Sequence, residues 1–78
     1  MSVQAYVLVQ TTVGKAAHVA AEIRNTDGVV VVHDVTGPYD VIVQVEAPSM
    51  DDLGTLVVRG IQAVDGITRT VTCPVVNI

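Results

Sequence analysis

The residues best suited to bind a small polar ligand lie in the segment Thr36-Gly37-Pro38-Tyr39-Asp40. Gly, Pro and Asp are common turn residues, so the segment by itself predicts a turn between two strands. A turn does not require a large tyrosine followed by a carboxylate, however. A loop that presents Asp40 beside free backbone N–H groups can hold a zwitterion, because the carboxylate attracts an ammonium group and the N–H groups bind a carboxylate. We therefore predict a ligand site in this loop.

Residues suited to catalysis or metal binding are scattered along the chain. His18 and His33 have no second histidine or cysteine at the spacing of metal ligands. Cys73 is the only cysteine, has no histidine near it in sequence, and is expected to be a small buried hydrophobe. Catalysis needs a nucleophile, a base and an oxyanion stabiliser within reach of one another. We expect no catalytic residues, no metal and no cofactor, and hence no enzyme.

Charge and composition narrow the partners. The chain has 78 residues, which allows one domain over residues 1–78. Four Lys and Arg residues against eight Asp and Glu residues give a formal net charge of −4. Nucleic-acid binding requires a basic patch that neutralises phosphates, and single strands also stack on aromatic side chains. With only two aromatic residues and no basic patch, the chain is expected to make no direct contact with nucleic acid.

Export and membrane signals are missing from the pattern. The start, Met-Ser-Val-Gln-Ala-Tyr, has neither the basic residues nor the long apolar run of a signal peptide. No apolar run approaches the roughly 20 residues that span a bilayer. The single cysteine allows no intrachain disulfide, as is usual in a reducing compartment. We expect a soluble, cytoplasmic protein without a membrane partner.

The chain contains a repeated pattern of elements. Aligning Asp27-Gly28 with Asp65-Gly66 superposes two halves that each read strand, helix, strand. Ser49 is placed to cap the second helix, and Asp51 and Asp52 favour its first turn. The predicted strands are residues 3–10, 29–36, 41–47 and 67–75, and the predicted helices are residues 14–25 and 50–63.

The order βαββαβ, with a hairpin between the halves, predicts an α+β, ferredoxin-like fold. Two helices cover one face of a four-stranded antiparallel sheet, and alternation places odd-numbered strand residues against them. The even-numbered positions form the open face, where Thr68, Thr70 and Thr72 are also expected. This much apolar surface predicts a two-fold dimer through the sheet face. The predicted dimer interface comprises Tyr6, Leu8, Val30, Val32 and Ile42.

Two stretches of the sequence resemble the Lrp/AsnC family of leucine- and asparagine-responsive transcription regulators. They are Ala5-Tyr6-Val7-Leu8-Val9 and the run from Gly28 through the hairpin of residues 36–40 to Val45. Gly66 to Thr72 is similar to the last strand of the family's C-terminal effector domain, the regulation-of-amino-acid-metabolism (RAM) domain. The Gly-x-x-Asp hairpin, Gly37 to Asp40, is the most specific of these motifs.

The resemblance implies a domain that dimerises through its sheet and assembles further, often into rings of four dimers (octamers). It implies that free amino acids bind between dimers beside the hairpin. It assigns binding to Gly37, Tyr39 and Asp40, and further to Thr36, Thr70 and Thr72. The chain begins at the first strand, where family members carry a helix-turn-helix domain, so we expect a stand-alone effector domain. Full-length relatives are then possible partners.

Two other hypotheses remain open from the sequence. One is a small dimeric α+β barrel enzyme of the isomerase or monooxygenase type, which shares the ferredoxin-like plan. The other is an oligomerisation partner that binds no ligand. The position of a bound ligand separates the first from a regulator, because an enzyme would hold it inside one dimer and a regulator between dimers. A thermal-shift screen of the standard amino acids tests the second.

Overall fold

The four valine-rich alternating segments form the strands of a single sheet in a computed structural model that describes residues 2–76. The sheet is antiparallel with the strand order β2-β3-β1-β4. The elements, in chain order, are β1 (Val3–Thr11), α1 (Ala16–Arg24), β2 (Val29–Asp34), β3 (Val41–Ala47), α2 (Met50–Thr55), a π-helical continuation of α2 (Leu56–Ile61) and β4 (Ile67–Pro74). This is the predicted ferredoxin-like α+β fold.

Both helices pack on the same face of the sheet and form one hydrophobic core. On the helices, Ile23 of α1 and Leu53 of α2 are buried. The odd-numbered residues of β1 and β3 meet them, and Val7 and Val43 have no accessible surface. Burying this apolar area drives folding at roughly 25 cal/mol per Å². The alternation therefore identified the helix-covered face of the two central strands correctly.

The helix ends differ from the prediction where backbone geometry intervenes. The first helix begins at Ala16, two residues after Gly14, whose φ of 83° is incompatible with a right-handed helix. The cap of α2 is confirmed, since the Asp52 N–H donates to Ser49 Oγ at 3.1 Å. Beyond Thr55 the helix widens to π geometry, in which the Gln62 N–H donates to the Val57 carbonyl at 2.8 Å.

The repeated Asp-Gly turns occupy equivalent places in the two halves. Gly28 and Gly66 both have positive φ, at 92° and 102°. A Cβ atom at Gly28 would collide with Leu56 of the second half, and one at Gly66 would lie 3.0 Å from Cβ of Lys15 in the first half. Each turn thus lets one half pack closely against the helix of the other. A side chain at either turn would disturb both the backbone and this packing.

Two β-bulges overturn part of the predicted open face. In β2 the register jumps from Val29 opposite Val45 to Val31 opposite Gln44, so Val30 is the extra residue and Val32 turns toward the helices. In β4, Thr68 is the extra residue between the partners of Gln10 and Thr11. As a result, the prediction that Val32, Thr70 and Thr72 lie on the open face is wrong. Thr70 and Thr72 pair with Val9 and Val7 and share their helix-facing side.

Candidate functional site

The loop between β2 and β3 contains the predicted ligand residues, and its backbone closes a hairpin. The Val35 N–H donates to the Asp40 carbonyl at 3.0 Å. Gly37 has a φ of 125°, a value that a side chain would strain. Within residues 2–76, the backbone N–H groups of Gly37 and Tyr39 donate no hydrogen bond. These donors are therefore available to a ligand.

Asp40 joins this loop to the end of β1. Its Oδ2 accepts hydrogen bonds from the Thr11 N–H at 2.8 Å and from Thr11 Oγ1 at 3.1 Å, and its own N–H donates to the Val9 carbonyl at 2.9 Å. The side chain is half-buried. All hydrogen bonds that the described residues give to this carboxylate reach Oδ2. Asp40 is thus held in one orientation with its other oxygen, Oδ1, unengaged.

The beginning of β4 lies at the same end of the sheet as the loop. Gln10 connects the two regions, because its Nε2 donates to the Pro38 carbonyl at 3.5 Å and its carbonyl accepts from Thr68 Oγ1 at 3.1 Å. Gln10 also stands opposite Arg69 in the sheet. We call this region the hairpin edge, and define it as residues 36–40, Gln10 and Thr11 of β1, and residues 68–70 of β4.

A polar cavity of about 310 Å³ opens beside the start of β4. Gln62, beyond the end of the second helical segment, donates from Nε2 to Thr70 Oγ1 at 2.8 Å across this cavity. Arg69 supplies a guanidinium group there. The cavity can therefore offer a cation and polar groups to an anionic ligand. Its lining residues are Gln62, Ile67, Thr68, Arg69 and Thr70.

The structure brings most, but not all, of the predicted ligand residues together. Thr36, Gly37, Tyr39 and Asp40 share the loop, and Thr70 lies on the other side of β1 within the hairpin edge. The remaining predicted residue is elsewhere. Thr72 lines a separate apolar groove of about 190 Å³ with residues of α2.

Sequence reasoning missed four residues that build the hairpin edge. Thr11 orients Asp40 although 29 positions separate them in the chain. Gln10, Gln62 and Arg69 enter through strand pairing and a long-range hydrogen bond. The only local signal was a pair of threonines at the end of a strand, and Thr-Thr sequences are too common to identify a site.

The open face of the sheet forms a second candidate surface. Tyr6 is 45% exposed and pairs with Gln44 and Cys73, while Leu8 pairs with Ile42 and Val71. Cys73 is exposed, so the prediction that it is buried is wrong. The apolar residues of this face are Tyr6, Leu8, Val31, Ile42 and Val71, with Val30 at the bulge. Three of the five predicted interface residues lie here as expected, and Val30 is 52% exposed.

Other candidate chemistry is dispersed in the described residues. His18 and His33 are both exposed. No group of three or more His, Cys, Asp or Glu side chains within residues 2–76 could hold a metal ion. Over the same residues, no helix is both long and apolar enough to cross a membrane.

A ferredoxin-like domain with a ligand-sized polar edge and no assembled catalytic group in its described residues belongs to the class of small effector-binding domains. The chain is a member of the Lrp/AsnC family, because residues 4–78 match the family model described as the Lrp/AsnC ligand binding domain. The match includes the hairpin edge and the open face. The resemblance noted in the sequence is thereby confirmed.

Similar proteins agree with this assignment. An uncharacterized HTH-type transcriptional regulator of Pyrococcus furiosus, PF0250, is 33% identical over 54 residues, which is 69% of this chain and 36% of that protein. The chain therefore spans about a third of this relative's length. The crystal structure of TTHA0845 from Thermus thermophilus matches with a TM-score of 0.92 and 28% identity, covering 97% of this chain and 95% of that one.

A third similar structure contains a ligand. The complex of the transcriptional regulator NMB0573 of Neisseria meningitidis with L-Met matches with a TM-score of 0.84 and 21% identity. The match covers 96% of this chain and 50% of that protein. At this identity the likeness establishes the shared fold alone.

Proposed function

We propose that this domain binds a free amino acid at the hairpin edge and couples that binding to oligomer assembly in Lrp/AsnC-type transcription regulation. The observation that carries the proposal is the geometry of Asp40. Thr11 holds one carboxylate oxygen and leaves the other directed to a ligand, beside backbone N–H groups that the described residues leave unused. Negative and positive groups are thus paired at the spacing of one loop.

This arrangement suits the two charges that every free amino acid carries. The α-ammonium would bind Oδ1 of Asp40, and the α-carboxylate would accept from the N–H groups of Gly37 and Tyr39. Thr36 adds a hydroxyl group from the same loop. Because recognition uses groups that all amino acids share, the loop selects the class of ligand, and the amino-acid side chain would be recognised elsewhere.

A second protomer would complete the pocket, because the hairpin edge is open to solvent. The polar cavity at the start of β4, with Arg69 and Thr70, is the surface that a neighbouring copy would present to the ligand. Thr72 has no part in this proposal, since it lines the apolar groove under α2. A ligand shared by two copies stabilises the assembly that contains the complete pocket. That linkage converts amino-acid concentration into a change of assembly.

The open face supports the proposed dimer. Tyr6, Leu8 and Ile42 form the centre of a sheet surface that none of the described elements covers. Small soluble monomers rarely expose contiguous apolar patches of this kind. Two copies related by a two-fold axis would bury the same patch on both sides. The L-Met complex of the Neisseria regulator and the family's ligand-binding description support the amino-acid effector.

Calorimetry on Asp40→Asn tests the amino-acid site. A thermal-shift screen of the standard amino acids, with L-methionine included, first selects the titrant. The asparagine keeps an oxygen for Thr11 and removes the charge, so we expect the fold to persist and affinity to fall about tenfold or more.

Asp27→Asn is the matched control, because it removes the same charge at an exposed turn at the other end of β2. Equal affinities for the wild type and Asp40→Asn would contradict the proposed role of Asp40. A ligand found inside the sheet-to-sheet interface, rather than at the hairpin edge, would favour the α+β barrel enzyme instead.

A further inference from the structure

The outer face of α2 carries an open groove of about 410 Å³, on the side of the domain away from the open sheet face. Met50 and Val58 expose 54% and 58% of their surface there, although both are apolar. The groove is continuous with the apolar groove between α2 and β4, since both include Met50, Gly54 and Val58. Its lining residues are Met50, Asp51, Gly54, Thr55, Val58 and Arg59.

Gly54 lies at the middle of this groove, and nothing within the protomer requires a glycine there. Its φ is not positive, and a Cβ atom at this position would meet no atom within 4 Å. Gly60 is different, because its Cβ would lie 2.6 Å from Cγ2 of Thr26. A glycine inside a helix lowers helix stability, and one use that offsets this cost is close approach by another backbone. At Gly54 that backbone must come from outside the protomer.

Two opposite charges flank the groove at equal distances from its centre. Asp51 is in the first turn of α2, and Arg59 is near the end of the π-helical segment. The only ion pair within residues 2–76 joins Arg24 to Asp34, so neither Asp51 nor Arg59 is neutralised by the described part of the protomer. A partner that carries the same two charges in reverse order would match both.

We propose that α2 packs antiparallel against α2 of a second copy, about a two-fold axis that passes beside Gly54 and Thr55. In a two-fold pair, residues at equal distances on either side of the axis face each other. Met50 then packs against the second copy's Val58, and Asp51 faces the second copy's Arg59. Gly54 meets its own symmetry mate, where the missing side chain lets the helices approach. The surface is thus complementary to itself in shape, polarity and charge.

This surface is independent of the amino-acid site and of the proposed open-face dimer. The two surfaces lie on opposite layers of the domain, the helix layer and the bare sheet. A protomer with two different two-fold surfaces links dimers to one another, which builds a closed ring or an extended chain.

Gly54→Arg tests the close approach, with mass measured by light scattering or sedimentation over a range of concentrations. The new side chain points into open space in the protomer, so the domain should fold while helix pairing is blocked. We expect a mass of half the wild-type value or less. Val13→Arg, at a position that is 99% exposed, is the control for added charge and should keep the wild-type mass. A wild-type mass for a folded Gly54→Arg protein would overturn the proposal.

A charge swap tests the proposed register. Asp51→Arg and Arg59→Asp should each lower the mass, because each places like charges opposite one another. The double variant should recover it. Both of its charges oppose the helix dipole, so its helix is the least stable of the series, and recovery would report pairing between copies. A double variant no larger than the single variants would overturn the assigned pairing.

Leu8→Arg on the open face separates this interface from the sheet dimer in the same assay. If α2 pairs, Leu8→Arg still forms a dimer, and adding Gly54→Arg reduces it to a monomer. If Leu8→Arg alone is monomeric and Gly54→Arg has no effect, the sheet is the only interface and the α2 proposal is wrong.

Discussion

The two faces of the sheet are both apolar, but their environments differ. On the helix face, Val7 and Val43 have no accessible surface, whereas on the open face Tyr6 remains 45% exposed and its neighbours Leu8 and Ile42 are half-buried. The same strands supply both faces. The difference shows that hydrophobic content alone does not define a domain's own core. Only the half that the helices cover stabilises the protomer, and the other half is available to a partner.

Ile23→Ala is expected to have the largest effect, because it opens a cavity on the helix face. Ile23 has no accessible surface. Truncating a buried isoleucine to alanine costs about 2–5 kcal/mol of unfolding free energy. Urea denaturation followed by circular dichroism measures the loss, which should not depend on protein concentration.

The matched control is Ile42→Ala, the same truncation on the open face. Because Ile42 is half-buried in the protomer, the loss in dilute solution should be below about 1 kcal/mol. If the open face forms a dimer, this loss should increase with protein concentration, since stability then includes association. Equal losses for the two variants would remove the distinction between the faces.

Gly28→Ala comes next and tests how closely the helix layer packs on the sheet. The positive φ disfavours a side chain by about 1–2 kcal/mol, and the collision with Leu56 adds about 1–3 kcal/mol. Gly14→Ala is the control, because Gly14 also has positive φ but faces open space. Thermal unfolding of the pair isolates the packing contribution as the difference in their stabilities. Identical values would mean that Leu56 moves aside without cost.

Leu8→Arg should change protomer stability least, although it alters the centre of the open face. A half-buried arginine can extend its charge into water along the sheet. We expect a change within about 1 kcal/mol in dilute solution together with a loss of association, measured by sedimentation. Val13→Arg provides the control for charge. An unchanged mass would contradict the proposed sheet dimer.

The order of elements and the core of the central strands could be predicted from local patterns. The alternation of Val7 and Val9 with Tyr6 and Leu8 has a period of two, which only a strand converts into two faces. The two Asp-Gly pairs mark turns because glycine tolerates positive φ. The Ser49 cap follows from its position before two aspartates. All these signals are contained within a few neighbouring residues.

The faces of the edge strands could not be predicted in the same way. One inserted residue in β2 and one in β4 reverse every later side chain, which moved Val32, Thr70 and Thr72 to the helix side. A bulge depends on how a strand fits its neighbour. Neither Val30 nor Thr68 differs in type from the residues around it, so alternation gives no warning.

For this protein, the sequence by itself determined the ferredoxin-like plan, the hairpin with Gly37 and Asp40, and an excess of apolar surface. Periodicity and turn chemistry act over a few residues, and they are visible in one dimension. Tertiary structure decided that Thr11 orients Asp40, that the two edge strands change phase, and that Met50, Gly54 and Val58 share an outer groove. These features depend on contacts between distant segments, whose distances exist only after the chain has folded.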